Sequence, residues 1–270
     1  MATWEMIIPY LLFKREVYAY LMISVCILTK DAQNTLAATL HSAQSFPEVL
    51  VCDTGSSDQT LALAKQYANV KVLQRTLSGF GALRNEVAGQ ASYDWILALD
   101  SDEILSPPLL EEIKTIPLDP AVIYAIPRHN FYQGKHIQGC GWHPERVARL
   151  YHRQHARYSD ALVHERLLGG QETPLQSPLF HTPYRSIADF LTKMQQYSTL
   201  FAEQYRNKKS SSVWQACLHG AFAFFRSYIL RRGLLDGKEG LIISLYNGHT
   251  TFYKYLKLAE ANLKSGGELR

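Results

Sequence analysis

Trp95-Ile96-Leu97-Ala98-Leu99-Asp100-Ser101-Asp102-Glu103 is an apolar, strand-like run that closes on three carboxylates. A short continuous apolar run suits a strand buried on both faces, as in a parallel sheet covered by helices. Open sheets of that kind bind ligands beyond the carboxyl ends of their strands, where Asp100, Asp102 and Glu103 would lie. An Asp-x-Asp there suits a hard divalent cation, Mg2+ or Mn2+, which takes carboxylate oxygens together with substrate phosphate oxygens. Such a cation offsets the charge of a departing diphosphate. The competing reading makes the same residues the cap and acidic first turn of a helix over residues 107–113.

Working toward the N-terminus, strand-like runs at residues 23–28, 49–52 and 70–73 alternate with helical patterns at 36–43, 60–67 and 81–91. This is the βαβ rhythm of an α/β domain with a largely parallel sheet. Polar residues close the strands here too: Thr29-Lys30-Asp31 the first, and Asp53-Thr54-Gly55-Ser56-Ser57-Asp58 the second. The second turn can present Asp53 to a nucleoside, with Asp58 as a helix cap. Gly79-Phe80-Gly81 followed by Arg84-Asn85 is half of a dinucleotide fingerprint, but Arg84 stands where the third glycine belongs, which disfavours a hydride-transfer site. A guanidinium at that place suits a phosphate or a base edge, or else a salt bridge.

Toward the C-terminus the pattern becomes a hairpin over residues 123–136, turning at Gln133-Gly134, and then a strand over 147–151. Helices are expected at 187–205, 213–230 and 241–263, the last interrupted at Gly248, with Ser210-Ser211-Ser212 as a break and cap. The expected organisation is an extension over residues 1–21, an α/β domain over 22–179 with a Rossmann-like mixed sheet, and a helical region over 180–270.

A chain of 270 residues that is 47% hydrophobic has enough material for a real core, which excludes disorder. Cys26, Cys52, Cys140 and Cys217 are widely spaced, so they form neither a zinc motif nor a disulfide framework, and a reducing cytoplasm fits them best. Pro9, Lys14, Arg15 and Glu16 break the apolar N-terminus, which reads neither as a signal peptide nor as a spanning helix. Net charge is +4, yet residues 206–257 hold nine Lys or Arg against two acids. That imbalance points to an anionic membrane surface rather than nucleic acid, because long apolar stretches separate the basic residues. In particular, Phe222, Phe224, Phe225, Tyr228, Ile229 and Leu230 beside Arg226, Arg231 and Arg232 have the makings of an interfacial helix, or of a packed helix with a basic outer face.

Four motifs in order carry a family resemblance: residues 23–31, 51–60, 81–85 and 95–103 are similar to those of family 2 glycosyltransferases, which have the GT-A fold. Downstream, Gly141-Trp142-His143-Pro144, Arg149-Leu150-Tyr151, Val163-His164-Glu165, the run 181–184 and Gly233-Leu234-Leu235-Asp236-Gly237 resemble the lipopolysaccharide core β-1,4-glucosyltransferase branch. The resemblance implies inverting transfer of a hexose, glucose from UDP-glucose, to a lipid-linked saccharide such as the lipopolysaccharide inner core. The enzyme would be cytoplasmic and peripheral on the inner face of the cytoplasmic membrane. Transfer to polyprenyl phosphate or to a peptide, and a non-catalytic sugar-nucleotide-binding protein, are the alternatives.

Carried over by position, the resemblance implies that Asp53 contacts the nucleobase, Asp100 the ribose and Asp102 the metal. Thr29 and Asp31 would line the nucleoside pocket beside Arg84, and Glu165 would be the catalytic base. One carboxylate suffices for inversion, since it removes the acceptor hydroxyl proton as that oxygen attacks opposite the leaving diphosphate. Glu165 could otherwise pair with Arg166 or Arg146. Trp142 stacks on a sugar face or packs in the core, Arg146 and Arg149 hold the diphosphate or pair at the surface, and His164 positions the base, ligates metal or is structural.

Overall fold

Ser24, Cys26 and Leu28 point to one face of the first strand while Ile23, Val25 and Ile27 point to the other, and all but Leu28 are buried. That strand, β1 (Ile23–Thr29), lies inside the sheet because both of its faces are covered. In the computed structural model, which describes residues 22–77, 79–159 and 165–266, the chain divides into two units. The first holds the described residues up to Arg128 and Glu145–His181, and the second holds His129–Pro144 and the described residues from Thr182 onward. The extension expected over residues 1–21, and His164, lie outside the described residues.

In the first unit β1 is followed by α1 (Leu36–Ser42), β2 (Glu48–Asp53), α2 (Thr60–Ala64), β3 (Val70–Gln74), α3 (Phe80–Gly89) and β4 (Trp95–Asp100). Then come β5 (Glu103–Leu105), α4 (Pro107–Thr115) and β6 (Val122–Tyr132), the last of which runs into the second unit. The sheet order begins β3-β2-β1-β4, all parallel. It continues through β8 (Arg146–His152), antiparallel to both β4 and β6. Short strands β9 (Arg157–Tyr158) and β10 (Leu167–Leu168) pair with each other, β11 (Gln171–Pro174) runs parallel beside β6, and β12 (Leu179–His181) runs antiparallel to β5. This mixed, Rossmann-like α/β sheet is the GT-A arrangement.

Two apolar layers cover the sheet. Ile23, Val25, Ile27, Leu97 and Leu99 meet α1 and α4 on one face, and Cys26, Leu50, Cys52, Ile96 and Ala98 meet α3 on the other. Burial pushes the Cys26 thiol up to about 12 and that of Cys52 to about 11, so both stay protonated and act as small hydrophobes. The parallel register sets Thr29 beside Asp53 and Leu28 beside Asp100, which brings the polar strand ends to one edge. The helix-cap reading of Asp100 and Asp102 fails here, because Glu103 opens a strand and Ser106 caps α4 by accepting from the Leu109 amide.

The second unit begins with the end of β6 and its hairpin partner β7 (Lys135–His136), joined at Gln133 and Gly134, both at positive φ as a type I′ turn requires. Its helices are α5 (Ile187–Tyr205), started by a capping box of Ser186 and Asp189, α6 (Val213–Phe225), capped by Ser212, and α7 (Gly237–Gly266). A π-helical turn over Arg226–Leu230 and a 3-10 turn over Gly233–Asp236 join the last two. Contrary to the sequence expectation, Gly248 does not interrupt α7. It lets α7 approach α6: a Cβ on Gly248 would stand 3.1 Å from the Phe224 Cβ, and one on Gly220 would stand 2.8 Å from the Phe252 Cβ. Among the described residues no helix is long and apolar enough to cross a membrane.

Candidate active site

Helix α3 builds one side of the candidate site from Gly81, Arg84 and Asn85, which share a helix face by their spacing. Gly81 admits the chain after β9, for a Cβ there would meet the Ser159 carbonyl oxygen at 2.0 Å and the Glu165 Cβ at 3.2 Å. Asn85 locks the same segment by exchanging bonds with the Tyr158 backbone, donating at 2.9 Å and accepting at 2.8 Å. Arg84, buried between them, donates to Asp100 through one arm and to Glu165 Oε1 through Nε at 3.4 Å. Its guanidinium also lies 5.3 Å from the Tyr158 ring centroid.

Asp100 is gripped on both oxygens, since Arg84 takes Oδ1 and Arg149 takes Oδ2 at 2.5 Å. Burial alone would raise this carboxyl; Arg149 and Arg84 outweigh it and hold it below the ordinary carboxylate range. Arg149 also reaches Glu103 Oε1 at 2.7 Å. Glu103 is fully buried and accepts from the Asp100 amide at 3.0 Å and from Arg128 at 3.2 Å. Arg128 in turn forks onto Glu145 at 3.0 and 2.6 Å. Glu103 therefore fixes the turn that carries Asp-x-Asp.

Asp102 stands apart from these guanidiniums, and its Oδ2 lies 3.4 Å from His181 Nε2. His181 arrives on β12, whose register with β5 sets it beside Glu103. The Asp102 carboxylate beside this acidic turn suits Mn2+ or a similar divalent ion that also takes substrate phosphate oxygens, with His181 as one nitrogen donor among them. Asp100, Glu103, Glu145 and Glu165 already outnumber Arg84, Arg128 and Arg149 in the bonded cluster, and Asp102 beside it adds a further negative charge, so the site favours an added cation.

On the neighbouring strand ends, Asp53 accepts from the Gly55 and Ser56 amides, each at 3.1 Å, and from the Ser56 hydroxyl. The Ser56 hydroxyl accepts from the Asp31 amide at 2.8 Å, and Asp31 accepts from the Ser57 amide at 2.8 Å. This lacing holds the two loops together. Thr29 Oγ1 and Arg84 Nη1 are buried beside the site without a hydrogen-bond partner.

Thr29, Asp31, Asp53, Arg84, Asp100, Asp102, Arg149 and Glu165 thus all belong to the first unit, with Arg84, Asp100, Arg149 and Glu165 in one bonded cluster. Neither Arg149 nor Glu165 has the partner expected of it at the surface: Arg149 is buried, and Glu165 pairs with Arg84. Trp142 belongs to the second unit, where it is half-buried and stacks on Tyr184 at 5.8 Å. His181, Arg128 and Glu145 were not among the expected site residues.

Against known proteins, the model of "Glycosyl transferase family 2" matches residues 24–233. A glycosyltransferase of Rickettsia conorii is 25% identical over 266 residues, covering 90% of this chain and 92% of the relative. The lipopolysaccharide core biosynthesis glycosyltransferase LpsC of Rhizobium meliloti is 24% identical, with 84% and 89% covered. Among solved structures, TarS 1–349 of S. aureus in complex with UDP aligns at 17% identity and a TM-score of 0.44, covering 90% of this chain and 91% of that one. The chain belongs to glycosyltransferase family 2.

Proposed function

We propose that the protein is an inverting hexosyltransferase that moves glucose from UDP-glucose to a lipid-linked saccharide such as the lipopolysaccharide inner core. The observation that carries this reading is the single buried Arg84 bonded to both Asp100 and Glu165, which couples a nucleotide-side carboxylate to an acceptor-side one. Thr29, Asp31 and Asp53 hold the nucleoside, with Asp100 at the ribose, and Arg149 sets Asp100 in place. Asp102 and His181 would hold a divalent cation that, when bound, neutralises the leaving diphosphate. Glu165 takes the proton of the acceptor hydroxyl as its oxygen bonds to the anomeric carbon. The bond from that carbon to the diphosphate breaks on the opposite face, so the configuration inverts and the nucleoside diphosphate departs with the electron pair. The resemblance to LpsC, a protein named for lipopolysaccharide core biosynthesis, supports the acceptor class.

The second unit supplies the membrane part of the reading. Trp214, Leu218 and Phe222 recur at i, i+4 and i+8 on α6 and are 80%, 70% and 58% exposed, with Arg226, Arg231 and Arg232 just beyond. An apolar stripe beside basic residues fits an anionic lipid surface.

Assays with Mn2+ across a panel of nucleotide sugars test the reaction. UDP-glucose is expected to give UDP and a glucosylated acceptor, with Glu165→Gln binding donor but losing transfer by about a hundredfold or more. Pyrophosphate release would indicate a nucleotidyltransferase, and no turnover of any donor would indicate a binding protein. Transfer to polyprenyl phosphate or to a peptide in place of the lipid-linked saccharide would move the acceptor assignment.

A further inference from the structure

The β6–β7 hairpin carries a group of side chains that glycosyl transfer leaves unused. Its register pairs Phe131 with His136, so His129, two residues before Phe131, shares a face with His136 as its diagonal neighbour. The two imidazoles stack with centroids 4.2 Å apart. His143, from the loop after the hairpin, meets both edge-on, at 5.7 Å from His129 and 5.5 Å from His136. One ligating atom from each of the three lies within 4.8 Å of the others.

This loop is held firmly within the second unit. Asp236 accepts from the Gln138 and Gly139 amides at 3.2 and 2.6 Å, Asn130 donates to the Trp142 carbonyl at 3.0 Å, and Cys140 donates from its amide to the Arg231 carbonyl at 2.8 Å. His136 Nε2 is buried without a hydrogen-bond partner. A buried nitrogen left in that state costs about 1–3 kcal/mol, so packing alone is a poor account of three imidazoles gathered here.

We propose that His129, His136 and His143 bind a divalent late transition metal of the zinc class. Imidazole suits such ions, whereas Mg2+ and Mn2+ prefer oxygen. Zinc–nitrogen bonds of about 2.0–2.1 Å in a tetrahedral set place the nitrogens about 3.3 Å apart, so from ligating atoms within 4.8 Å of one another the stacked rings must turn to aim at one ion. Three protein ligands leave a position open. His143 lines a cleft of about 550 Å3 that also carries Arg231 and Arg232, so an anionic oxygen is the natural ligand to complete it. The site uses residues of the second unit alone and does not depend on the donor reading.

The test uses untagged, chelator-stripped protein carrying Cys217→Ser, which removes the exposed thiol, titrated with Zn2+ and separately with Co2+ in the absence of nucleotide. The expected result is one tight equivalent, visible Co2+ absorption bands, and affinity weakened about tenfold or more by His143→Ala or His136→Gln. Asp102→Ala should leave this binding unchanged. His143 is exposed, so His143→Ala should fold normally, as circular dichroism would verify, and it decides the matter if His136→Gln does not fold. Zinc affinity in His143→Ala equal to that of the parent overturns the proposal. So does zinc binding that survives His143→Ala but disappears with Asp102→Ala.

Discussion

Arg84 Nε lies 3.4 Å from Glu165 Oε1 while the same guanidinium bonds Asp100, so one buried cation joins the strand-end acid of β4 to the carboxylate proposed as the base. A lysine cannot reproduce this, because a single ammonium lacks the fork that serves two carboxylates. Arg84→Lys is expected to fold with modestly lowered stability and to lose most of its transfer rate. Arg84→Met should lower unfolding stability by about 1–3 kcal/mol, since it takes a partner from two partly buried carboxylates, of which Asp100 keeps Arg149. Urea unfolding beside steady-state kinetics would measure both; a fully active Arg84→Met would show that the link has no part in transfer.

Glu103 gives a second, sharper stability test. It bonds the Asp100 amide, Arg128 and Arg149 from a position with no solvent exposure. Glu103→Gln keeps the shape but removes the charge that two guanidiniums share. A loss of about 3–5 kcal/mol is expected in urea unfolding, as for breaking a buried ion pair. A loss under about 1 kcal/mol would place Glu103 among ordinary surface acids.

Much of this arrangement was legible in the sequence, and the reasons for the rest are physical. β1, β2 and β4 could be read because parallel strands covered on both faces leave short apolar runs that end in polar turns. The hairpin turn at Gln133-Gly134 and the cap before α6 were equally local. Glu103 could not be assigned, because Arg128 and Arg149 are 25 and 46 residues away and reach it only through the antiparallel strands β6 and β8. His181 was missed because β12 is three residues long and carries no pattern. Gly248 was misread because a glycine that breaks an isolated helix also permits close helix packing, and only the facing Gly220 tells the two apart.

Asp102 and His181 are expected to act together on metal-dependent donor binding. Asp102→Asn and His181→Gln should each weaken the Mn2+ dependence of donor affinity, measured by calorimetry with and without the ion, by about tenfold or more. Because both are partly exposed and lie outside the Arg84–Arg149 cluster, their melting temperatures should stay near the parent value. Donor affinity that keeps its full Mn2+ dependence in His181→Gln would remove this histidine from the site.

Glu48 gives a pH test that leaves catalysis aside, since it sits at the start of β2, away from the strand ends that carry the site. Burial alone would raise its carboxyl, but hydrogen bonds from Lys71, Ser24 and Ser92 outweigh that and bring it to about 2. A folded-state value below the unfolded one stabilises the protein above the unfolded value, and that contribution is lost as pH falls toward the folded value. Wild type should therefore exceed Glu48→Gln by about 1–2 kcal/mol near pH 7, a figure that allows for solvent screening at Lys71, and the gap should close between about pH 5 and pH 2. A gap that is constant with pH would mean that the variant's loss comes from shape rather than charge.

The exposed stripe of α6 yields the last prediction. Trp214, Leu218 and Phe222 lie outside the buried set of the second unit, so replacing them should change folding stability by no more than about 0.5 kcal/mol. Lipid binding should respond differently. Leu218→Ser combined with Phe222→Ser removes two large apolar groups from the exposed stripe, and vesicle partitioning should fall by about tenfold or more. Arg226→Gln should act only on vesicles containing anionic lipid, and raising the salt should mimic it, because screening reaches exposed charges first. Co-sedimentation with anionic and with zwitterionic vesicles separates the two contributions. Equal binding by parent and double serine variant on anionic vesicles would mean that this stripe faces something other than a membrane.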